Sequence, residues 1–211
     1  MQRNGRLLTE DHTHPDHPDA PSRYVGYLDD LYRALDAMVV TDAQARELPQ
    51  DQGLLRWCSL CQEAKQNGRS MFFVGNGASA AMASHMAADF SKNCGCKALA
   101  FNDVALMTAI SNDIRYDDCF ALPLERFANA GDMLITVSSS GNSGNILKAI
   151  TQARSFALAV VTVSGMRPDN RSRAMGDLNF WVPAETYGLV EASHQALLHC
   201  WLDTFLDLYA K

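Results

Sequence analysis

Long apolar runs are missing from this chain. Every hydrophobic stretch is broken by glycine, serine or charge well short of the ~20 residues that a membrane helix needs. No membrane partner is expected. The N-terminus also lacks the apolar core of a secretory signal, so a cytoplasmic protein is expected. Positive charge is in short supply: 18 Lys and Arg stand against 24 Asp and Glu, a net charge of −6. That balance argues against a general nucleic-acid surface, although an acidic protein can still hold phosphate at a local site. Paired cysteine motifs are missing too. Cys58-Ser-Leu-Cys61 has CxxC spacing but lies in a helical pattern, and Cys94-Gly-Cys96 has no matching second pair. With Cys119 and Cys200 these read as reduced core or surface thiols. What remains, 211 residues with 47% hydrophobic and 20% charged side chains, suits a soluble globular chain of one domain or slightly more.

Residues 1–22 are polar and carry Pro15, Pro18 and Pro21 among His12, His14 and His17. Without apolar periodicity they read as a disordered, solvated tail. In residues 23–69, Tyr27, Leu28, Leu31, Tyr32, Leu35 and Met38 recur at helical spacing. Thr41-Asp42 reads as a turn or a fresh N-cap. A second helical pattern runs from Leu54 to a stop at Asn67-Gly68. These two helices serve as a lid, an oligomer surface or simple packing.

From Ser70 onward apolar strands alternate with helices. Strands are expected at 71–74, 97–101, 132–137, 157–163 and 178–182, and a long closing helix at 187–208. Repeated βα units of this kind give a doubly wound α/β fold, a five-stranded parallel sheet covered on both faces. Ligands of such sheets bind beyond the carboxyl ends of the strands, at the switch point. Two small-residue turns qualify, Gly75–Ser79 and Ser138–Ser143.

The second turn belongs to the stretch MLITVSSSGNSGN, residues 133–145. It reads as a buried strand, a serine-rich loop and a helix N-terminus. Free backbone N–H groups and the positive end of a helix dipole converge at such a junction. Ser138, Ser139, Ser140 and Ser143 add hydroxyls, so a phosphate monoester is the natural guest; the plainer alternative is a turn with capping duty only. Two helices carry titratable groups. His85 and Asp89, four apart, share one helix face as an acid–base pair, as two metal ligands, or as a surface hydrogen bond. In the last helix Glu191, Gln195 and His199 form one stripe, with His194 on the neighbouring one. They face solvent or line a cleft near Asp89. Eight residues, about 12 Å of helix axis, separate Glu191 from His199, which strains any single metal site holding both.

Taken together, GNGASA at Gly75, HMAADF at His85, NDVALMTAISND at Asn102, GDMLITVSSSGNSGNILKAI at Gly131 and EASHQALLH at Glu191 resemble the sugar-isomerase (SIS) domain family. The resemblance spans 70–211, about two-thirds of the chain. It is closest in pattern to the phosphoheptose isomerases, which interconvert sedoheptulose 7-phosphate and D-glycero-D-manno-heptose 7-phosphate. It implies an SIS domain at 70–211, a homotetramer with sites built between subunits, and no organic cofactor. It implies phosphate on Ser138, Ser139, Ser140 and Ser143, with Asn76, Ser79, Asp113 and Glu191 around the substrate. It places the base on Asp89, the acid on His199, and an occasional Zn2+ site on His85, Asp89, Glu191 and His199. Three features depart from the family pattern: Asp89 stands where Glu is typical, Glu191 where Gln is typical, and the usual basic residue after the base helix is missing near Lys92 and Asn93. The expected activity is aldose–ketose isomerisation through a cis-enediol(ate). The alternatives are an isomerase of another phosphosugar, or a non-catalytic module that binds a sugar phosphate or a partner.

Overall fold

The computed structural model describes residues 23–209; the tail expected at 1–22 lies outside them. Fourteen regular elements follow in chain order: α1 (Arg23–Asp36), β1 (Val39–Asp42), β2 (Glu47–Leu48), α2 (Gln50–Gln66), β3 (Ser70–Gly75), α3 (Ala78–Cys94), β4 (Lys97–Ala100), α4 (Val104–Asp113), α5 (Ala121–Phe127), β5 (Met133–Ser138), α6 (Gly144–Ser155), β6 (Ala159–Gly165), β7 (Leu178–Val182) and α7 (Tyr187–Tyr209). Single 3-10 turns lie at Tyr116–Asp118 and Ser172–Ala174.

One sheet contains all seven strands, in the order β2-β1-β7-β6-β5-β3-β4. The five expected strands, β3 to β7, pair in parallel. β1 and β2 were not expected as strands. Val39–Asp42 runs antiparallel to β7, so the sheet crosses from 23–69 into 70–211. Thr41-Asp42 does make a turn, but at the end of β1. The Asp42 carboxylate accepts the N–H groups of Gln44 (2.9 Å) and Arg46 (3.0 Å) and the Arg46 guanidinium at 2.7 Å. A four-residue strand has too little length to declare a period, and the edge of β7 supplies its partner.

Parallel strands covered on both faces must be apolar on both. Met71 and Phe73 of β3 point to one side, where α2, α3 and α7 bring Trp57, Phe90 and Trp201. Phe72 and Val74 point to the other, against Phe120, Leu124, Ile146 and Ile150 of α6 and the segment around α5. The chain leaves β3 to build β4 on one side and then returns to build β5, β6 and β7 on the other. The turns after β3 and β5 therefore diverge, and a crevice opens between them.

Candidate active site

The crevice is shaped first by its glycines. A Cβ on Gly75 would lie 2.5 Å from the Ser79 carbonyl oxygen, so only glycine lets β3 turn this tightly into α3. Gly141 has φ +61°, and a Cβ there would fall 2.0 Å from Asn170 Oδ1. The serine loop is thus held open by Gly141 and braced by the segment that follows β6.

The serines divide their duties. Ser138 Oγ accepts the Gly141 N–H at 3.2 Å, and Ser140 Oγ accepts the Asn142 N–H at 3.3 Å; both shape the turn. Ser143 occupies the N-cap position of α6, yet its side chain makes no capping hydrogen bond. Its hydroxyl and the N–H groups of Gly144 and Asn145 are unclaimed, whereas the Ile146 N–H donates to Asn145 Oδ1 at 2.9 Å. The plainer reading, capping duty alone, does not fit Ser143. Asn76, Ser79, Ser138, Ser139, Ser140, Ser143, Tyr187 and Glu191 line one recess of about 130 Å³. Asn76 is held by three hydrogen bonds from two residues. Its amide exchanges two hydrogen bonds with that of Asn145 (3.0 and 2.8 Å), and its Oδ1 accepts the Tyr116 hydroxyl at 2.7 Å.

A second, wider recess of about 380 Å³ adjoins the first. It is lined by Ala78, Ala81, Met82, His85, Glu191 and Gln195, so Glu191 is a wall common to both. His85 Nε2 lies 3.3 Å from Asp89 Oδ2, and the His85 and His199 rings meet edge to face with centroids 5.3 Å apart. One ligand atom from each of His85, Asp89 and His199 can be chosen so that all lie within 4.8 Å of one another. Two imidazoles and a carboxylate at that spacing form a donor set suited to a divalent transition metal. Glu191, which the resemblance set among the metal ligands, is not in this group; its eight-residue offset from His199 along α7 is the physical reason. Asp113 stands exposed at the end of α4, accepts a hydrogen bond from Asn112 at 2.8 Å, and lines neither recess.

Nothing in the sequence pattern marked Tyr187, Tyr116 or Asn145 as site residues. Tyr187 opens α7, and its arrival at the serine loop depends on where β7 delivers the chain. The buried thiols stand apart from this chemistry: burial pushes Cys58 up to about 12 and Cys94 to about 11. His194 is fully buried, and burial lowers its pKa to about 4.

Comparison with known proteins bears on the family and the fold. The family model described as SIS domain matches residues 32–165. The phosphoheptose isomerase of Thiobacillus denitrificans is 33% identical over 144 residues, 64% of this chain and 73% of that protein. That of Campylobacter concisus is 32% identical over 148 residues, 67% and 78% of the two chains. Among solved structures, phosphoheptose isomerase from Neisseria gonorrhoeae superposes with a TM-score of 0.76 at 27% identity, covering 87% of this chain and 97% of the other. A phosphoheptose isomerase from Francisella tularensis, at 22% identity, shares the fold with a TM-score of 0.73, covering 87% and 94%.

Proposed function

The chain belongs to the SIS domain family, and from that premise we propose that it is an aldose–ketose isomerase of a seven-carbon sugar phosphate. The reaction is the interconversion of sedoheptulose 7-phosphate and D-glycero-D-manno-heptose 7-phosphate. The observation that carries this reading is the pair of recesses meeting at Glu191. An anion-binding turn lines one, and His85, which meets Asp89 and His199, lines the other.

The phosphate anchors on the hydroxyls of Ser139, Ser140 and Ser143 and on the N–H groups of Gly144 and Asn145 at the start of α6. Anchoring supplies the orientation that makes proton transfer at the far end productive. Asp89 removes the proton from the carbon next to the carbonyl and returns it to the neighbouring carbon of the cis-enediol(ate). His199 carries the hydroxyl proton from one oxygen of the enediol(ate) to the other, in the same direction along the chain. His85, 3.3 Å from Asp89 Oδ2, restrains the carboxylate that acts as base. His85, Asp89 and His199 would also hold Zn2+; when bound, the ion polarises the carbonyl and stabilises developing negative charge.

The same reading takes the enzyme to be a cytoplasmic homotetramer with sites shared between copies. Six free cysteines support a reducing compartment. Exposed Tyr24, Tyr27, Leu28 and Tyr32 on α1 support association, and Asp113, outside the recesses of its own chain, suits a shared site. Sedimentation measures the assembly directly.

The decisive experiment is Asp89→Asn. In D2O the wild type incorporates deuterium at the carbon next to the carbonyl, and the variant loses both exchange and isomerisation by at least about a hundredfold. Unchanged exchange in Asp89→Asn refutes the assignment of the base. A wild type that binds the sugar phosphate without exchange establishes a binding module instead.

A further inference from the structure

We infer that His194, acting through the Ser164–Gly165 peptide group, is a positioning residue that sets the serine loop in register with α7. The inference rests on the proposed role of that loop in holding phosphate. His194 Nε2 lies 3.1 Å from the Ser164 carbonyl oxygen. A carbonyl only accepts, so the ring donates from Nε2 and is the Nε2–H tautomer. The N–H of the next residue, Gly165, donates to the Ser139 carbonyl at 3.1 Å. The Ser164 C=O and the Gly165 N–H belong to one planar peptide unit, whose two dipolar ends point in opposite directions. One rigid group therefore joins the loop on one side to α7 on the other.

Two further observations place the same peptide under constraint. A Cβ on Gly165 would fall 2.5 Å from Val190 Cγ1 of α7 and 3.3 Å from the Ser139 carbonyl oxygen, so the same two elements close on this residue. Asn170 Nδ2 lies 3.3 Å from both Ser164 Oγ and the Gly165 carbonyl oxygen, bracing the unit from the loop after β6.

Packing alone does not account for a histidine here. The side chain is fully buried, and Nδ1 has no hydrogen-bond partner. An apolar residue would avoid that desolvation cost. What histidine adds is the N–H that ties α7 down. Glu191 lies one turn before it on α7, and His199 lies further along the same helix. A substrate pinned by its phosphate reaches these groups only if loop and helix keep their spacing. Misplacement of about 1 Å is enough to cost on the order of a hundredfold in rate.

His194→Gln keeps a donor near the position of Nε2, whereas His194→Met keeps the volume and removes the donor. In His194→Met, kcat falls at least about tenfold while the inhibition constant of inorganic phosphate stays within about twofold; His194→Gln restores kcat to within about threefold of wild type. Equal losses in both variants, or no loss in His194→Met, overturn the inference. Hydrogen exchange supplies a readout without turnover. Inorganic phosphate slows amide exchange in residues 138–146 and in the first two turns of α7 of the wild type, but in 138–146 alone of His194→Met. Protection of α7 that survives in the variant overturns the strut. No protection of 138–146 in the wild type overturns the phosphate-loop reading, and the strut with it.

Discussion

Acid should weaken this fold through one buried side chain, whose share a variant isolates. His194 is buried without a partner for Nδ1, and desolvation holds its pKa at about 4 against an ordinary 6.5, opposed only by its bond to Ser164. Above 6.5 neither the native nor the unfolded state carries the proton, and the ring contributes no pH dependence. Between 6.5 and 4 the unfolded chain binds a proton that the native ring refuses, so stability falls as pH falls; below 4 both states are protonated and the slope vanishes. At roughly 1.4 kcal/mol per pH unit the whole window is worth about 3 kcal/mol, and the step from pH 7 to pH 5 about 2 kcal/mol. The carboxylates of Asp42, Asp118 and Asp169, lowered by hydrogen bonds to Arg46, Lys148 and Arg167 respectively, lose their contribution only below the usual carboxylate range. Urea unfolding at pH 7, 6 and 5 at fixed ionic strength, on the wild type and on His194→Gln, makes the measurement. The wild type loses about 2 kcal/mol more than the variant over that step. Parallel curves would refute the claim that this ring is held neutral by burial.

Three other perturbations bear on the site. Gly141→Ala forces a left-handed φ on an L-residue and drives its Cβ toward Asn170; it should cost about 2–3 kcal/mol in urea unfolding. A loss under about 0.5 kcal/mol would mean that the loop relaxes freely. Ser143→Ala removes a hydroxyl free of capping duty, so KM for the sugar phosphate should rise about tenfold with little change in kcat and no loss of stability. A stability loss without a KM change would restore the capping role. His85→Ala should reduce Zn2+ affinity, measured by calorimetry on chelator-treated protein, by at least about a hundredfold. Undiminished affinity would place zinc elsewhere.

The five parallel strands were readable because a strand buried on both faces must be a short apolar run, and each is bounded by turn residues. β1 was not, because its pairing with β7 joins positions some 140 residues apart, and Val39–Asp42 alone shows no period. The site was half readable. The spacing of His85 and Asp89 fixed a common helix face, and the structure adds His199 to that face from α7. Which stripe of α7 turns inward was not readable. The helix is apolar on most sides, so composition does not distinguish the buried His194 from the half-exposed Glu191, Gln195 and His199. Burial of His194 follows from the seating of α7 on β6, a tertiary fact.

The polar cluster owes its geometry to apolar packing immediately beneath it. Phe90 follows Asp89 on α3, and Trp201 lies two residues beyond His199 on α7; their rings stack with centroids 4.1 Å apart. Trp57 of α2 also stacks on the same indole, with centroids 3.9 Å apart, and all three side chains are fully buried. Stacked aromatics in a close-packed core resist small displacements, because each rotamer is held by several neighbours. Fixing Phe90 against Trp201 fixes the separation of α3 and α7 near the level at which Asp89 meets His199. That bears on the shorter carboxylate of this chain. Asp lacks one methylene of Glu, and a fixed helix separation cannot supply the missing reach by flexing. With Asp89 as the proposed base, proton transfer requires the substrate to come to it, and the serine loop, as the proposed phosphate grip, is the element that would set the substrate's depth. On that proposal, reach lost at one end of the site is adjustable only at the other, through the register between loop and helix.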